Sequence, residues 1–205
     1  MIVKKFVLGE IGENCYCIST EKNNAVVVDP GIISVELYNY INENKLNLKK
    51  ILLTHGHFDH ICGSEDLREK TDAEIYVHKD DAELLNSVKK SLAFWMPDCG
   101  FKPFSADILL SDGDKIQLDE LEFSVMQTSG HTKGSVCYIC ENSIFCGDTL
   151  FHGSTGRCDV YSSSPDDMCK SLRLLSELKD DYTLYCGHGE NSTLLWEKQN
   201  NPYLA

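Results

Sequence analysis

The sequence predicts a mixed α/β fold with two β-sheets at its centre and helices outside. Three observations carry that expectation. Short segments rich in β-branched residues come in runs, each run leads into an amphipathic helix, and the pattern occurs twice. Residues suited to metal binding fall where apolar runs end: His55-Gly56-His57-Phe58-Asp59-His60 follows Ile51-Leu52-Leu53 with only Thr54 between. No Gly-, Ser- or Pro-rich linker divides the chain, so its 205 residues are expected as one domain, 1–205.

The elements follow in order. Ile2 to Leu8, Cys15 to Ser19 and Ala25 to Val28 read as strands, punctuated by Gly and Asn. Asp29-Pro30-Gly31 breaks the third. A helix is expected over Val35 to Glu43, with Val35, Tyr38 and Ile41 on one face. Lys50 to Thr54 is the strand that delivers the histidine cluster. Ile61 to Lys70 reads as a helix, Glu74 to His78 as a strand, and Asp80 to Lys89 as another helix. Residues 91–110 lack clear periodicity but carry Phe94, Trp95, Met96, Phe101 and Phe104. They fit either a substrate-side flap or a long loop pinned to the core. Four short strands follow: Lys115 to Leu118, Leu121 to Thr128, Ser135 to Cys140 and Ser143 to Cys146. The helix from Pro165 to Leu178 has strong start chemistry, with Ser164 as cap, Pro165 in the first turn and Asp166 and Asp167 at the positive end. Met168, Leu172 and Leu175 line its inner face, and a last strand, Thr183 to Cys186, ends at Gly187-His188-Gly189.

Composition excludes several classes. With 19 basic against 32 acidic residues the net charge is −13, which argues against a nucleic-acid partner. No apolar run approaches the roughly 20 residues of a membrane span. The N-terminal Met1 to Leu8 looks like a strand, not a signal peptide, so the cytoplasm is the expected compartment. Ten cysteines are then expected as reduced thiols. Cys137 and Cys140 form a C-x-x-C inside a strand-like stretch, where alternation turns them apart. Buried apolar packing is the better reading there than a zinc or redox centre.

The richest segment packs three of the chain's seven histidines and an aspartate into six positions. Neutral imidazole and carboxylate are ordinary ligands for zinc and similar ions. A strand end and the turn after it can aim alternate side chains at one point. His55 and His57 fit that period. Asp59 and His60 come one step later, where the turn enters a helix, and could face a second point nearby. A solvated polar loop is the rival reading, and the clustering argues against it. Three further polar residues share a setting of strand, glycine and donor: Gly130-His131, Gly147-Asp148 and Gly187-His188-Gly189.

Taken in order, these motifs resemble the metallo-β-lactamase superfamily and, within it, small glyoxalase II-like (hydroxyacylglutathione hydrolase-like) enzymes. The matching residues are Thr54 to His60, Thr128 to Ser135, Gly147-Asp148-Thr149-Leu150-Phe151, Gly156-Arg157 with Asp159, Gly187-His188-Gly189, and Glu197 with Asn201-Pro202-Tyr203-Leu204. The resemblance implies a four-layer αββα sandwich of two mixed sheets, with the site at one sheet edge. It implies that His55, His57 and His131 hold one metal, that Asp59, His60 and His188 hold the other, and that Asp148 bridges both. Two Zn2+ per chain are implied, with Fe or Mn as alternatives, and open positions are left for water and substrate. The implied reaction is hydrolysis of a thioester or related small acyl compound, with Asp59 and Asp148 as candidate proton carriers. Neither nucleic acid nor membrane is an expected partner, and no oligomeric state is specified.

The chain also departs from the pattern. It ends 17 residues after His188, without the extra helical region that grips glutathione in full-length relatives, which distances glutathione as substrate. Lys133 stands where the family often has proline. No proposed ligand is a cysteine, which distances the chain from the antibiotic-degrading branch. Cys62, Cys146 and Cys186 each lie within two residues of a proposed ligand, as small apolar fillers or as thiols open to oxidation. Arg157 and Asp159 fit either a loop support or substrate contact near the metals, or a surface ion pair. His152 and His78 are left outside the ligand set. Two other functions fit the same motifs: a mononuclear iron persulfide dioxygenase, and a non-catalytic metal-binding regulatory module.

Overall fold

The chain opens as an antiparallel meander of β1 (Ile2–Leu8), β2 (Glu13–Ser19) and β3 (Asn24–Val28) in a computed structural model that describes residues 1–204. Helix α1 (Val35–Glu43) then crosses to β4 (Asn47–Leu52), parallel to β3. Two short helices, α2 (Phe58–Ile61) and α3 (Ser64–Thr71), lead to β5 (Glu74–His78). With β6 (Ile108–Leu110), it completes a six-stranded sheet in sequence order. The second sheet starts with the antiparallel strands β7 (Lys115–Leu118), β8 (Leu121–Gln127), β9 (Val136–Cys140) and β10 (Ser143–Gly147). A small hairpin, β11 (Leu150–Phe151) and β12 (Ser154–Thr155), precedes α4 (Pro165–Glu177). Strand β13 (Thr183–Cys186) returns parallel to β10, followed by β14 (Ser192–Thr193) and α5 (Leu194–Asn200). This sheet runs β14-β13-β10-β9-β8-β7.

Side-chain alternation turns these elements into four layers. On β2, Tyr16 and Ile18 point between the sheets, while Cys15 and Cys17 point towards Leu37 and Ile41 of α1. The inter-sheet layer joins Tyr16, Val26, Val28 and Leu52 to Phe123, Val125, Tyr138 and Phe145. Outside the second sheet, Cys137, Ile144, Cys146 and Leu184 meet Met168, Leu172 and Leu175 of α4, the face expected from sequence. Cys137 and Cys140 fall in different layers, as strand alternation requires. Burial between layers is non-directional and supplies most of the driving force. The architecture is the expected αββα sandwich.

Several elements differ from expectation. The buried face of α1 is Leu37 and Ile41, whereas Val35 is 71% exposed. Residues three apart drift around a helix by about 60° per step, so Val35, Tyr38 and Ile41 do not share one stripe. The helix expected over 61–70 is split. Gly63 donates its N–H to Pro30 O (2.8 Å), and a Cβ there would overlap the Ile32 carbonyl, so the chain must bend away at this point. The helix expected over 80–89 does not form. A 3-10 turn, Lys79–Asp81, turns the Asp81 side chain inward to take backbone N–H groups from distant loops, and this tertiary demand overrides local propensity. Strands β6, β11, β12 and β14 and helix α5 were not foreseen. Within residues 91–110, Phe104 is buried in the core and Ile108–Leu110 form β6, while Leu92 and Trp95 face a cavity. Among the described residues no helix is long and apolar enough to cross a membrane.

Candidate metal centre

Four loops at one edge of the sandwich bring the histidines and aspartates together. After β4 the chain leaves the sheet at Thr54, whose N–H and Oγ1 both donate to the Asp29 carboxylate (2.7 and 2.6 Å). That anchor fixes the turn carrying His55 and His57. His57 caps α2 in extended conformation (φ −75°, ψ 148°), so Asp59 and His60 start a new direction on the helix. His131 comes from the β8–β9 turn, Asp148 directly follows β10, and His188 lies two residues beyond β13.

The seven residues named from sequence converge. Donor atoms of His55, His57 and His131 lie within 4.8 Å of one another, as do those of Asp59, His60 and His188. The Asp148 carboxylate stands between the two groups. Its Oδ1 is 3.4 Å from His60 Nε2, and its Oδ2 is 3.4 Å from His131 Nε2 and 3.7 Å from His188 Nε2. His57 Nδ1 faces His131 Nε2 at 2.8 Å, and His60 Nε2 faces His188 Nε2 at 3.3 Å. Glycine makes this convergence possible: a Cβ on Gly187 would overlap Asp148 Oδ1, and one on Gly147 (φ +47°) would overlap Thr54 Oγ1.

The electrostatics fit a pair of cations. Burial, reinforced by His60, His131 and His57, holds His55 well below the ordinary imidazole range. Burial, with His131 beside it, brings His57 down to about 3. Both are therefore neutral, the form that binds a metal. At His60 burial works against the charged ring, yet Asp148 and Asp59 prevail and hold the imidazolium well above its ordinary range, so His60 must give up this proton before it can hold a cation. Burial likewise opposes ionisation of Asp59 and Asp148, and the His60 charge outweighs it and keeps both carboxylates low. His55 Nε2, His57 Nε2 and Asp148 Oδ1 are buried with no hydrogen-bond partner. Orphaned buried nitrogens and oxygens of this kind are costly unless something binds them. The donor set of imidazole and carboxylate suits zinc or iron.

A ring of supporting residues went unrecognised in the sequence. Asp29 accepts from His60 Nδ1 (3.0 Å) as well as from Thr54, which turns His60 Nε2 towards the centre. Donor atoms of Asp29, His55 and His60 also cluster within 4.8 Å, but the oxygens of Asp29 are already engaged. The Arg157 carbonyl accepts from His131 Nδ1 (2.9 Å) and orients that ring in the same way. Asp81 is fully buried and accepts from Gly56 N–H (2.8 Å), Gly134 N–H (2.7 Å) and Thr132 Oγ1 (2.7 Å), tying the His55–His57 turn to the His131 turn. Burial pushes its carboxyl up, and the three donors oppose that shift. Glu13 is also buried here, and burial raises its pKa far above the usual range, while His60 opposes the rise. On the far side, Glu197 accepts from Gly153 N–H (3.0 Å) and Asn201 Nδ2 (2.7 Å), steadying the β11–β12 hairpin between Asp148 and Arg157.

A cavity of roughly 350 Å³ opens over the centre. Its floor is His57, Asp59, His131, Asp148 and His188, and its walls are Ile11, Phe58, Leu92, Trp95 and Arg157. Arg157 is both a loop residue and a wall. Its guanidinium pairs with Asp159 (2.7 and 3.0 Å) and lies over the Trp95 ring at 5.2 Å. His152 packs against Trp196 outside the cluster. His78 is buried and accepts from Asp80 N–H (3.3 Å). Cys146 and Cys186 are fully buried in the layer under α4, and Cys62 packs against the 91–101 segment.

Comparison with known proteins gives relatives by sequence and by fold. The sequence profile described as "Metallo-beta-lactamase superfamily" matches residues 8–188. Hydroxyacylglutathione hydrolase GloC of Haemophilus influenzae is 33% identical over 198 residues, covering 94% of this chain and 92% of the relative. Among solved structures, BLEG-1 B3 metallo-beta-lactamase superposes with a TM-score of 0.94 at 29% identity, with all of both chains covered. TTHA1623 in a di-iron-bound form superposes with a TM-score of 0.88 at 31% identity, covering 98% of this chain and 100% of the other.

Proposed function

The chain belongs to the metallo-β-lactamase superfamily, and from that premise we propose that it is a dinuclear metal-dependent hydrolase of small acyl thioesters. The observation that carries this reading is the position of Asp148, whose carboxylate stands between the two donor triads and within 3.7 Å of rings from both. His55, His57 and His131 would hold one ion, Asp59, His60 and His188 the other, and Asp148 both. When bound, such ions supply Lewis acidity and a nucleophile at neutral pH.

The chain's own groups do the rest. Neutral His55 and His57 bind without first losing a proton. Asp59 and Asp148 face the cavity and are held ionised, the form that would bind a cation, and they are the candidate carriers of the proton that the attacking water gives up. Ile11, Phe58, Leu92 and Trp95 bind an apolar acyl group and exclude bulk water. The cation among the wall residues, Arg157, is already paired with Asp159, which favours an uncharged acyl part. A thiolate, with thiol pKa about 8.5, leaves without acid assistance. The site therefore has no need of a dedicated proton donor to the leaving group.

Metal analysis together with hydrolysis of a panel of short acyl thioesters tests this reading. Two ions per chain and turnover that disappears on chelation are expected. One iron per chain with oxygen uptake on a low-molecular-weight persulfide would replace it with a dioxygenase. Two bound ions without hydrolysis of any member would leave a non-catalytic metal-binding module. The likeness to BLEG-1 favours a second reading, β-lactam hydrolysis, so a chromogenic β-lactam belongs in the panel.

A further inference from the structure

We propose that Cys62 and Cys99 form a thiol pair that closes to an intramolecular disulfide, with the disulfide of a low-molecular-weight thiol as oxidant. The bond would fix the 91–101 flap against α2. The two residues are 37 apart in sequence, yet Cys62 Sγ donates to Cys99 Sγ at 3.6 Å. Closing to a disulfide needs the sulfurs to approach to about 2.05 Å.

The surroundings permit that movement on one side only. Cys62 is held at the end of α2, where its N–H donates to Phe58 O (3.1 Å), and it is buried with Phe58, Leu92 and Ala93. Cys99 is half-buried, hence reachable, and is followed by Gly100, which has φ +78° and nothing within 4 Å of where a Cβ would stand. Leu92, at the other end of the flap, also has positive φ (+65°). The segment between these two points carries Phe94 and Trp95, each 50% exposed, and rests on α2 through a small apolar cluster. Cys146 and Cys186, also near neighbours in the fold, are fully buried and closed to an external oxidant.

The step balances as two exchanges. The Cys99 thiolate attacks one sulfur of the small disulfide, a mixed disulfide forms, and one small thiolate leaves. The Cys62 sulfur then attacks the Cys99 sulfur, the Cys62 proton passes to the second leaving thiolate, and the protein disulfide remains. One small disulfide is reduced to two thiols for each pair oxidised. Leu92 and Trp95 line the cavity over the metal centre, so a bond at Cys99 pins one of its walls.

The test treats the metal-loaded protein with oxidised glutathione, blocks remaining thiols, and maps the peptides. A Cys62–Cys99 cross-link is expected, reversed by dithiothreitol and absent in Cys99→Ser. In Cys62→Ala a stable mixed disulfide should remain on Cys99. Amides of residues 93–100 should exchange about tenfold more slowly in the oxidised protein than in the reduced one. A mixed disulfide persisting on wild-type Cys99 with Cys62 still open to alkylation would overturn the pairing. A cross-link with unchanged exchange in the flap would overturn its effect on the wall. Neither readout uses turnover, so the result stands apart from the proposed reaction.

Discussion

Asp81→Asn isolates the part of the site that no motif announces. The carboxylate takes two donors on Oδ2, Gly56 N–H and Thr132 Oγ1, and one on Oδ1, Gly134 N–H. An asparagine of the same shape offers one oxygen. In its better orientation it keeps the Oδ2 pair and sets an NH2 group against the Gly134 N–H, two donors face to face. A buried donor left unpaired costs about 1–3 kcal/mol, and the surviving bonds lose their charge assistance. Relief of the buried charge offsets part of this, since burial already pushes the Asp81 carboxyl up. A net of about 2 kcal/mol falls on the join between the His55–His57 and His131 turns, which is a factor of roughly 30 in an equilibrium constant. Supporting residues behind metal ligands typically contribute factors of about 10–100. Competition against a chelator of known affinity should therefore show one of the two ions weakened by about 10–100-fold in Asp81→Asn. The other, supported by Asp29 through His60, should be near its wild-type value. Equal loss of both ions, or no loss with the melting temperature unchanged, would refute the idea that Asp81 aligns one triad.

Other outcomes follow from the same geometry. Asp148→Asn should weaken both ions and remove most turnover, and full metal content with normal rates would show that Asp148 does not link the triads. Trp95→Ala removes a cavity wall and the platform under Arg157. Steady-state kinetics on short acyl thioesters should show KM raised by about three- to tenfold with kcat nearly kept. Chelation should lower the melting temperature, because an ion held at a thousand times its Kd stabilises the native state by about 4 kcal/mol. In the metal-stripped protein His57 stays neutral down to about pH 3 while the unfolded chain protonates it near the ordinary imidazole value of 6.5. Its share of stability is thus present above pH 6.5 and is lost as pH falls from 6.5 towards 3, by at most about 1.4 kcal/mol per unit. Ring-nitrogen NMR of His57 across that range checks the direction.

What was legible in the sequence was whatever is local. His55, His57, Asp59 and His60 announce themselves because their spacing alone carries the chemistry, and Gly130, Gly147 and Gly187 mark where single donors join them. Asp29, Glu13 and Asp81 carry no such signal. Asp81 meets Gly134 across 53 positions, and its local setting, Lys79-Asp80-Asp81-Ala82, looks like the start of an exposed helix. The helix expected over 80–89 and the missed role of Asp81 are one error: a residue recruited over a long range left the periodic pattern that would have made it helical. Strand β6 escaped for a related reason. Three residues, Ile108–Leu110, have no period to show, and only pairing with β5 defines them.

Apolar burial explains why the two sheets associate, but it does not set their register to the precision a shared metal site requires. Donors come from both sheets: the His55 to His60 stretch follows β4 of the first, while His131, Asp148 and His188 follow strands of the second. A slide of one sheet over the other would cost little apolar contact and would separate the triads. Directional bonds prevent it at the edge where the site lies. Val136 N–H donates to Thr54 O (2.9 Å), and Tyr138 Oη to Leu53 O (2.8 Å), just before the histidine turn. Asn14 N–H donates to Gly187 O (2.7 Å), and Asn14 Nδ2 and Tyr16 Oη to Cys186 O (2.9 and 2.6 Å), just before His188. Each bond crosses between the sheets within three residues of a donor to the centre, and each involves a group that is otherwise an unpaired strand end. The polar seam, not the hydrophobic layer, holds the two halves of the site in mutual register.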